Sequence, residues 1–287
     1  MIMNSCDIAE KQNEPFMLKV QYAARYCYNL AEKQNYFIWI FCLISAFAIF
    51  LPDELPGYLS RVVPFSADII AWILMIWVNK NVQKAADLRK YFDAYSIEIN
   101  ANTYSETEKR RIAEIVGKTY SRNPEIAELQ MANTGNDNPP GVHDWYSFSK
   151  QYDGLAAKFE CQRQNAWWDK KLFQIKYLIT LIVLGIVTVI FIILAAQNGF
   201  IRTLLCSVGL LIKLIERVFD IRKYRVLSIR IDGAQQTLET HLTIEGIEQL
   251  QTLIDERRAT NILGINFLHK KLANRLTQKY DNISNPK

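Results

Sequence analysis

The sequence predicts an all-α membrane protein: four transmembrane helices in two hairpins, with a mainly helical cytosolic domain built from extensions of the same helices. Three observations carry this prediction. The apolar residues, 50% of a 287-residue chain, are gathered in four stretches instead of recurring only at amphipathic spacing, so a mean hydropathy of −0.04 averages two unlike populations. Lys and Arg collect on one side of those stretches. No sustained alternation of apolar and polar residues marks a sheet, and the one strand candidate is 226–231.

Two of the stretches are clean. No residue from 34 to 52 is charged, and none from 177 to 201. Each can cross a hydrocarbon core of roughly 30 Å at about 1.5 Å per residue. The β-branched residues of the second weakly disfavour a helix in water, but are tolerated where every backbone group must be bonded internally. The other two stretches carry charge: Asp68 lies in 62–78, and 200–215 holds Arg202 near its start and Lys213 near its end.

Basic residues near the span ends decide whether these also cross, because they stay on the cytosolic side. With spans at 36–51, 62–78, 177–196 and 200–215, the shared side holds 4 Lys and Arg before residue 36, 15 in 79–176 and 12 after 215. The far side, made of the loop 52–61 and the turn 197–199, keeps only Arg61 and helix-end Arg202. Two spans alone would put the central fifteen outside, so four spans with both termini cytosolic is the consistent reading. The cytosolic parts hold 31 basic and 26 acidic residues, which places the whole net charge of +5 there.

Residues 1–35 carry Asp7, Glu10, Glu14 and Glu32 and no apolar run, which argues against a secretory signal. They read as a cytosolic amphipathic helix with Phe16, Val20, Ala23, Ala24, Cys27, Leu30 and Ala31 on one face. That face either packs on the cytosolic domain or lies on the inner leaflet. In the central region 79–176, the second span continues as a rod with Val82, Ala85, Ala86, Leu88, Phe92 and Tyr95 on its apolar face. A helix over 106–120 begins at Ser105, which has capping-box spacing to Glu108. Asn, Gly and Pro make 131–142 a loop, and a helix over 153–176 leads into the third span. In the tail, 216–287, helices are expected at 216–231, at 244–258 after Thr243, and at 265–280.

Several chemistries are excluded by what is missing. His143, His241 and His269 have no HExxH spacing, and there is no GxGxxG, GxxxxGK[ST] or GxSxG. Carboxylate pairs such as Glu106 with Glu108 or Asp255 with Glu256 lie in highly charged helices and read as solvated faces. Five cysteines without a CxxC pair argue against disulfides and zinc. The chain is expected to be no enzyme, with no resident cofactor, no metal and no nucleic-acid polymer as partner.

Certain side chains stand out. An exposed carboxylate at Asp68 would cost roughly 2.5–3.5 kcal/mol in the bilayer, so it should face the bundle or water. It reads either as a pore or gating group or as a packing contact to Arg202, Ser207 or backbone. Arg202 and Lys213 near their helix ends read as snorkelling residues or, less simply, as gating ones. The text HDWY at 143–146 and CQRQNAWWDKKL at 161–172 places polar and aromatic stripes side by side below the membrane. An interfacial aromatic belt and a ligand site using Trp stacking, amides and Arg163 both fit.

These residues also carry a resemblance. AADLRKYFD (85–93) after the second span, DWY (144–146), CQRQNxxWD (161–169) before the third and IEQLQTLIDERR (247–258) in the tail together resemble the SMODS-associating four-transmembrane effector family, over nearly the whole chain. The resemblance implies a bacterial inner-membrane effector of anti-phage defence. Its cytosolic domain would receive a cyclic di- or oligonucleotide made by a neighbouring nucleotidyltransferase, and its helices would permeabilise the membrane. Candidate ligand contacts are then Arg89, Arg163 and Arg257 for phosphate, Trp145, Tyr146 and Trp168 for stacking, and Gln162 and Asn165 for hydrogen bonding. Because a four-helix bundle fills its own core, a pore implies a homo-oligomer in the lipid bilayer. The competing class is a non-conducting receptor or scaffold that binds a cytosolic protein; a membrane enzyme is a third, weaker reading.

Overall fold

The computed structural model describes residues 3–51, 57–100 and 103–260, the side chains of 57–61 and 167–176 excepted. Trp168 as a side chain, part of the loop 52–61 and the expected helix 265–280 lie outside the described residues. Within them the chain is all helix: α1 (Ser5–Gln12), α2 (Pro15–Phe47), a 3-10 turn (Ala48–Phe50), α3 (Gly57–Ser96), α4 (Glu106–Tyr120), α5 (Pro124–Ala132), α6 (Gly154–Asn198), α7 (Phe200–Thr240) and α8 (Ile244–Arg258).

Four of these helices, at 33 to 45 residues, are far longer than the roughly 20 that a bilayer needs. In three of them, α2, α3 and α6, an apolar segment long enough to cross and a more polar segment share one rod. α2, α3 and α6 contain segments long and apolar enough to cross, at 15–50, 62–96 and 177–198. Their apolar side chains point outward: Phe37, Phe47, Phe65, Trp72, Ile192 and many others are exposed. An apolar surface of that extent is what lipid covers, and water does not. The protein is a membrane protein.

The turn between α6 and α7 is one residue, Gly199, at φ 82°. Its lack of a Cβ makes that left-handed geometry accessible, and the two rods fold back on each other there.

The expected strand at 226–231 is not formed; it lies within α7. Leu227, Ile231 and Leu238 are all buried, with Ala234 partly so. Their spacing of i, i+4, i+7 and i+11 is helical, and that periodicity outweighs the β-branched composition. Residues 1–35 form two helices, not one. Asn4 opens α1 with a capping box through Asp7, and Pro15 restarts the chain at the first position of α2. Met17, Val20, Ala24, Cys27 and Ala31 then face the core while Phe16 is exposed, and the helix packs on the cytosolic domain. Helix 106–120 begins as the spacing predicts: Ser105 accepts from the Glu108 N–H, and the Glu108 carboxylate accepts from the Ser105 N–H at 2.8 Å. The loop around 131–142 starts later than its composition suggests, because α5, with Pro124 in its first turn, runs to Ala132.

Two apolar clusters follow. The one outside the apolar segments joins α1, the first half of α2, the last half of α3, α4, the start of α6, the end of α7 and α8 around Phe92, Leu88, Tyr146, Ile231, Leu250 and Ile254. The membrane-side one joins α2, α3 and α7 through Ile38, Cys42, Ala71, Val78, Leu210 and Leu214. The same three rods contribute to both.

The segment after α5 is stitched to its neighbours by backbone. Gly141 N–H donates to Thr134 O at 2.7 Å, Val142 N–H to Gln130 O at 2.8 Å, and Arg25 donates to Gly141 O at 2.9 Å. A Cβ on Gly141 would lie 1.8 Å from Asn133 O. Gly141→Ala must therefore push backbone aside and is expected to cost about 1–3 kcal/mol. The readout is a melting temperature of the detergent-solubilised protein several degrees below wild type; an unchanged value would contradict this packing.

Candidate ligand site in the cytosolic core

The site is assembled around Asp93, near the C-terminal end of α3. Its carboxylate is fully buried. Oδ1 accepts from the Tyr146 hydroxyl at 2.6 Å, while Oδ2 accepts from Gln251 Nε2 at 2.9 Å and from the Arg258 guanidinium at 2.6 Å. A carboxylate taken out of water is tolerable only when its lone pairs are filled in this way. One side chain thereby ties α3 to the 143–146 loop and to α8.

Tyr146 is itself held from three directions. Its N–H donates to Gln12 Oε1 at 2.7 Å and its carbonyl accepts from Gln12 Nε2 at 2.9 Å, a reciprocal amide pair at the end of α1. Its hydroxyl also accepts from Asn165 Nδ2 on α6 at 2.9 Å, and its ring stacks on Phe92. Two residues earlier, Asp144 adopts φ 50°, a region that Asp visits more readily than most residues. Asn13 fixes it there through two hydrogen bonds at 2.6 and 3.1 Å.

Trp145 lies between these anchors. The Arg89 guanidinium carbon sits 3.7 Å from its ring centroid, a close cation–π stack. Arg89 Nε is enclosed with no hydrogen-bond partner, and no ion pair links Arg89 to an acid among the described residues. The bonding is lopsided: of four charges here, Asp93 and Asp255 both turn to Arg258, at 2.6 and 3.5 Å, and neither bonds Arg89. Burial and the neighbouring Arg258 pull the Arg89 pKa down to about 10, still cationic at neutral pH. A stacked guanidinium with open donors is suited to a phosphate or another planar anion.

The remaining sequence candidates are placed as follows. Gln162 is fully buried and donates to Ile247 O and Gln251 Oε1, joining α6 to α8. Arg163 pairs with Glu160 at 2.8 Å. Arg257 is buried and donates to Asn165 O at 3.2 Å, with the Tyr224 ring 5.7 Å away. Arg89, Trp145, Tyr146 and Asn165 are thus brought to one place, whereas Gln162 and Arg257 serve packing between α6 and α8. Asp93, Gln251 and Arg258, which complete the cluster, were absent from the sequence candidates. Residue type offered a faint signal, an acid and a Gln on otherwise core-facing helix positions.

Outside the core, Arg202 donates toward Ile49 O and Leu51 O at 3.5 Å each, closing the end of α2 and the turn after it. Lys213 pairs with Glu216 at 3.0 Å. Asp68 lies against Gly209 on α7.

Burial pushes the Cys161 thiol far up, the Asp93 charge adding to this, so it behaves as an inert core group. Burial likewise pushes the Asp255 carboxyl up to about 6, Arg258 opposing and Asp93 adding. Because the folded pKa then exceeds the unfolded one, the native state binds the extra proton between about pH 4 and 6. Stability contributed by Asp255 must fall as pH rises through that window and stay flat above it, by about 3 kcal/mol in all. Asp255→Asn is expected to remove this slope, as read by thermal unfolding from pH 4 to 7. Asp93→Asn leaves buried Arg258 with only its longer, 3.5 Å contact to Asp255 and should cost about 3 kcal/mol; a melting temperature within a degree of wild type would contradict the role given to Asp93.

Comparison with known proteins bears on the whole arrangement. Neither curated proteins nor solved structures give a match. The model of the SMODS-associating 4TM effector domain matches residues 6–223, from α1 to the middle of α7. With most of its length covered by that match, and with long apolar helices continuous with a packed helical core, this chain belongs to the SMODS-associating four-transmembrane effector family.

Proposed function

We propose that the protein is the membrane effector of a bacterial cyclic-oligonucleotide antiviral pathway: its cytosolic core binds the nucleotide messenger, and its spans, as a homo-oligomer, open the inner membrane. The observation that carries this reading is the Arg89–Trp145 stack. It pairs a cation on α3, without an acidic partner among the described residues, with the Trp145 ring of the 143–146 loop, and α3 runs unbroken from the site into an apolar segment. Phosphate on the guanidinium edge and a base beside the indole use the two chemistries that a cyclic nucleotide presents.

In this reading α7 supplies the fourth span. Its stretch 200–215 follows a one-residue turn after the 177–198 segment of α6, so the two must run back along each other. Both termini and the core then share the cytosolic side, in keeping with the distribution of Lys and Arg. The nucleotide can open the assembly only to the extent that it binds one arrangement of the helices better than the other. The network centred on Asp93 gives it that leverage, since it fastens α3, α6 and α8 within reach of Arg89.

The test is dye and ion leakage from proteoliposomes carrying the purified protein, with a panel of cyclic di- and trinucleotides added one at a time. Leakage is expected with one nucleotide and not with the rest. Arg89→Ala is expected to weaken the response by about 10- to 100-fold in nucleotide concentration, the loss of a charge-assisted contact of about 1.5–3 kcal/mol, while the lost stack on Trp145 costs stability by about 1–2 kcal/mol. Silence of the folded, correctly inserted protein with every nucleotide would favour the non-conducting receptor or scaffold.

A further inference from the structure

The buried face of α7 is unusual for a membrane helix. Thr203, Cys206, Leu210, Lys213 and Leu214 are buried against the protein at helical spacing, with Gly209 on the same side. Facing them are Ser45 and Cys42 of α2, both buried, and Asp68 of α3. Polar and small side chains therefore line one seam between α2, α3 and α7, while the apolar stretch of α6 has no fully buried residue and touches the cluster only through Leu184 and Val187. Ionisable groups inside a bilayer are costly and cluster on ion or proton pathways.

Two details of the seam stand out. First, Asp68 Oδ1 is enclosed without a hydrogen-bond partner of good geometry among the described residues, although Ser45 and the Gly209 backbone lie beside its carboxylate. It occupies the space that a side chain at 209 would need, since a Cβ there would lie 2.1 Å from that oxygen. Only glycine at 209 lets the carboxylate enter the seam. Second, Lys213 lies one turn along α7 from Gly209, about 6 Å of helix rise. It is 5% exposed and gives its ammonium to Glu216, not to Asp68. An unfilled carboxylate oxygen and a tethered ammonium thus lie on the same face, with Cys42 within electrostatic reach of both. Ser45, whose hydroxyl donates to Cys206 O at 3.1 Å, fastens α2 to α7 at this level.

We infer that this seam is the permeation path for monovalent cations, with Asp68 as the cation-binding group and Lys213 as the built-in cation that fills the path at rest. The inference rests on the reading of the protein as a conducting homo-oligomer and assigns to each protomer's seam between α2, α3 and α7 the face that opens to line the shared pore. In the resting packing the seam is closed, because Ser45 and Thr203 are buried. Opening requires α7 to move from α2 and α3. α7 is led into the cytosolic core by Leu227, Ile231 and Leu238 and is followed there by α8, the helix bonded to Asp93. Once the seam is hydrated, Asp68 has an aqueous cation to bind, and a lined acidic path concentrates cations over anions.

The experiment is planar-bilayer recording with a KCl gradient, using the nucleotide that produces leakage. Wild type is expected to reverse near the potassium potential. Asp68→Asn should lower the cation-to-anion permeability ratio about tenfold, and Lys213→Gln should raise the current seen without nucleotide. Should Asp68→Asn fail to fold, the native cysteines serve: a positively charged thiol reagent should block open wild-type channels and should lose its effect in the Cys42→Ala, Cys206→Ala variant. Currents with unchanged selectivity in Asp68→Asn and no block by the reagent would overturn the seam while leaving a conducting effector. A wild type that never conducts would overturn both.

Discussion

A fully buried carboxylate, Asp93, holds the helical core around it in one arrangement. Burying an ion costs several kcal/mol unless its partners are in place, and the partners here come from elements far apart in the chain: Tyr146 from a loop, Gln251 and Arg258 from α8. The core cannot shift any of these without exposing an unmet charge. Apolar packing around Phe92 and Leu250 supplies most of the favourable free energy, as in any core, but it is tolerant of small slides. The ionic network is not, and it makes the difference between two helix arrangements discrete instead of gradual.

This constraint reaches the membrane because the rods are continuous. α3 carries Asp93 and Arg89 at one end and Asp68 near the other, within 40 residues of helix. α2 contributes to both apolar clusters, through Cys27 in the cytosol and Cys42 further along, and α7 does the same through Ile231 and Leu214. A helix hydrogen-bonded along its length transmits a rotation or translation from one end to the other. Small displacements at the network are therefore felt at the seam where Asp68 meets Gly209.

Much of this could be read in the sequence wherever the information is local. The capping box of Ser105 with Glu108, the start of α8 at Thr243, the rod after residue 78 and the apolar runs all follow from residues within a turn or two of each other. Misjudged features had local signals that competed. Pro15 split an otherwise smooth amphipathic pattern, and β-branched residues at 226–231 imitated a strand inside a helix. The site was legible in part: Arg89, Trp145, Tyr146 and Asn165 were recognisable by type, yet the residue that joins them was not. Asp93 and Arg258 are 165 positions apart, and no spacing rule encodes such a pair. Choosing between Arg257 and Arg258 from sequence was equally out of reach, since adjacent helix positions differ by about 100° in direction and so face different neighbours.

The proposed movement of α7 relative to α3 on occupancy of the site is tested most directly by pulsed electron-paramagnetic distance measurement between spin labels at Ile70 and Ile212, both exposed on the apolar stretches of those helices, in nanodiscs with and without a cyclic nucleotide shown to bind. The account predicts that the distance distribution shifts when the nucleotide is added and returns when it is removed. A distribution that stays the same at saturating nucleotide would contradict it.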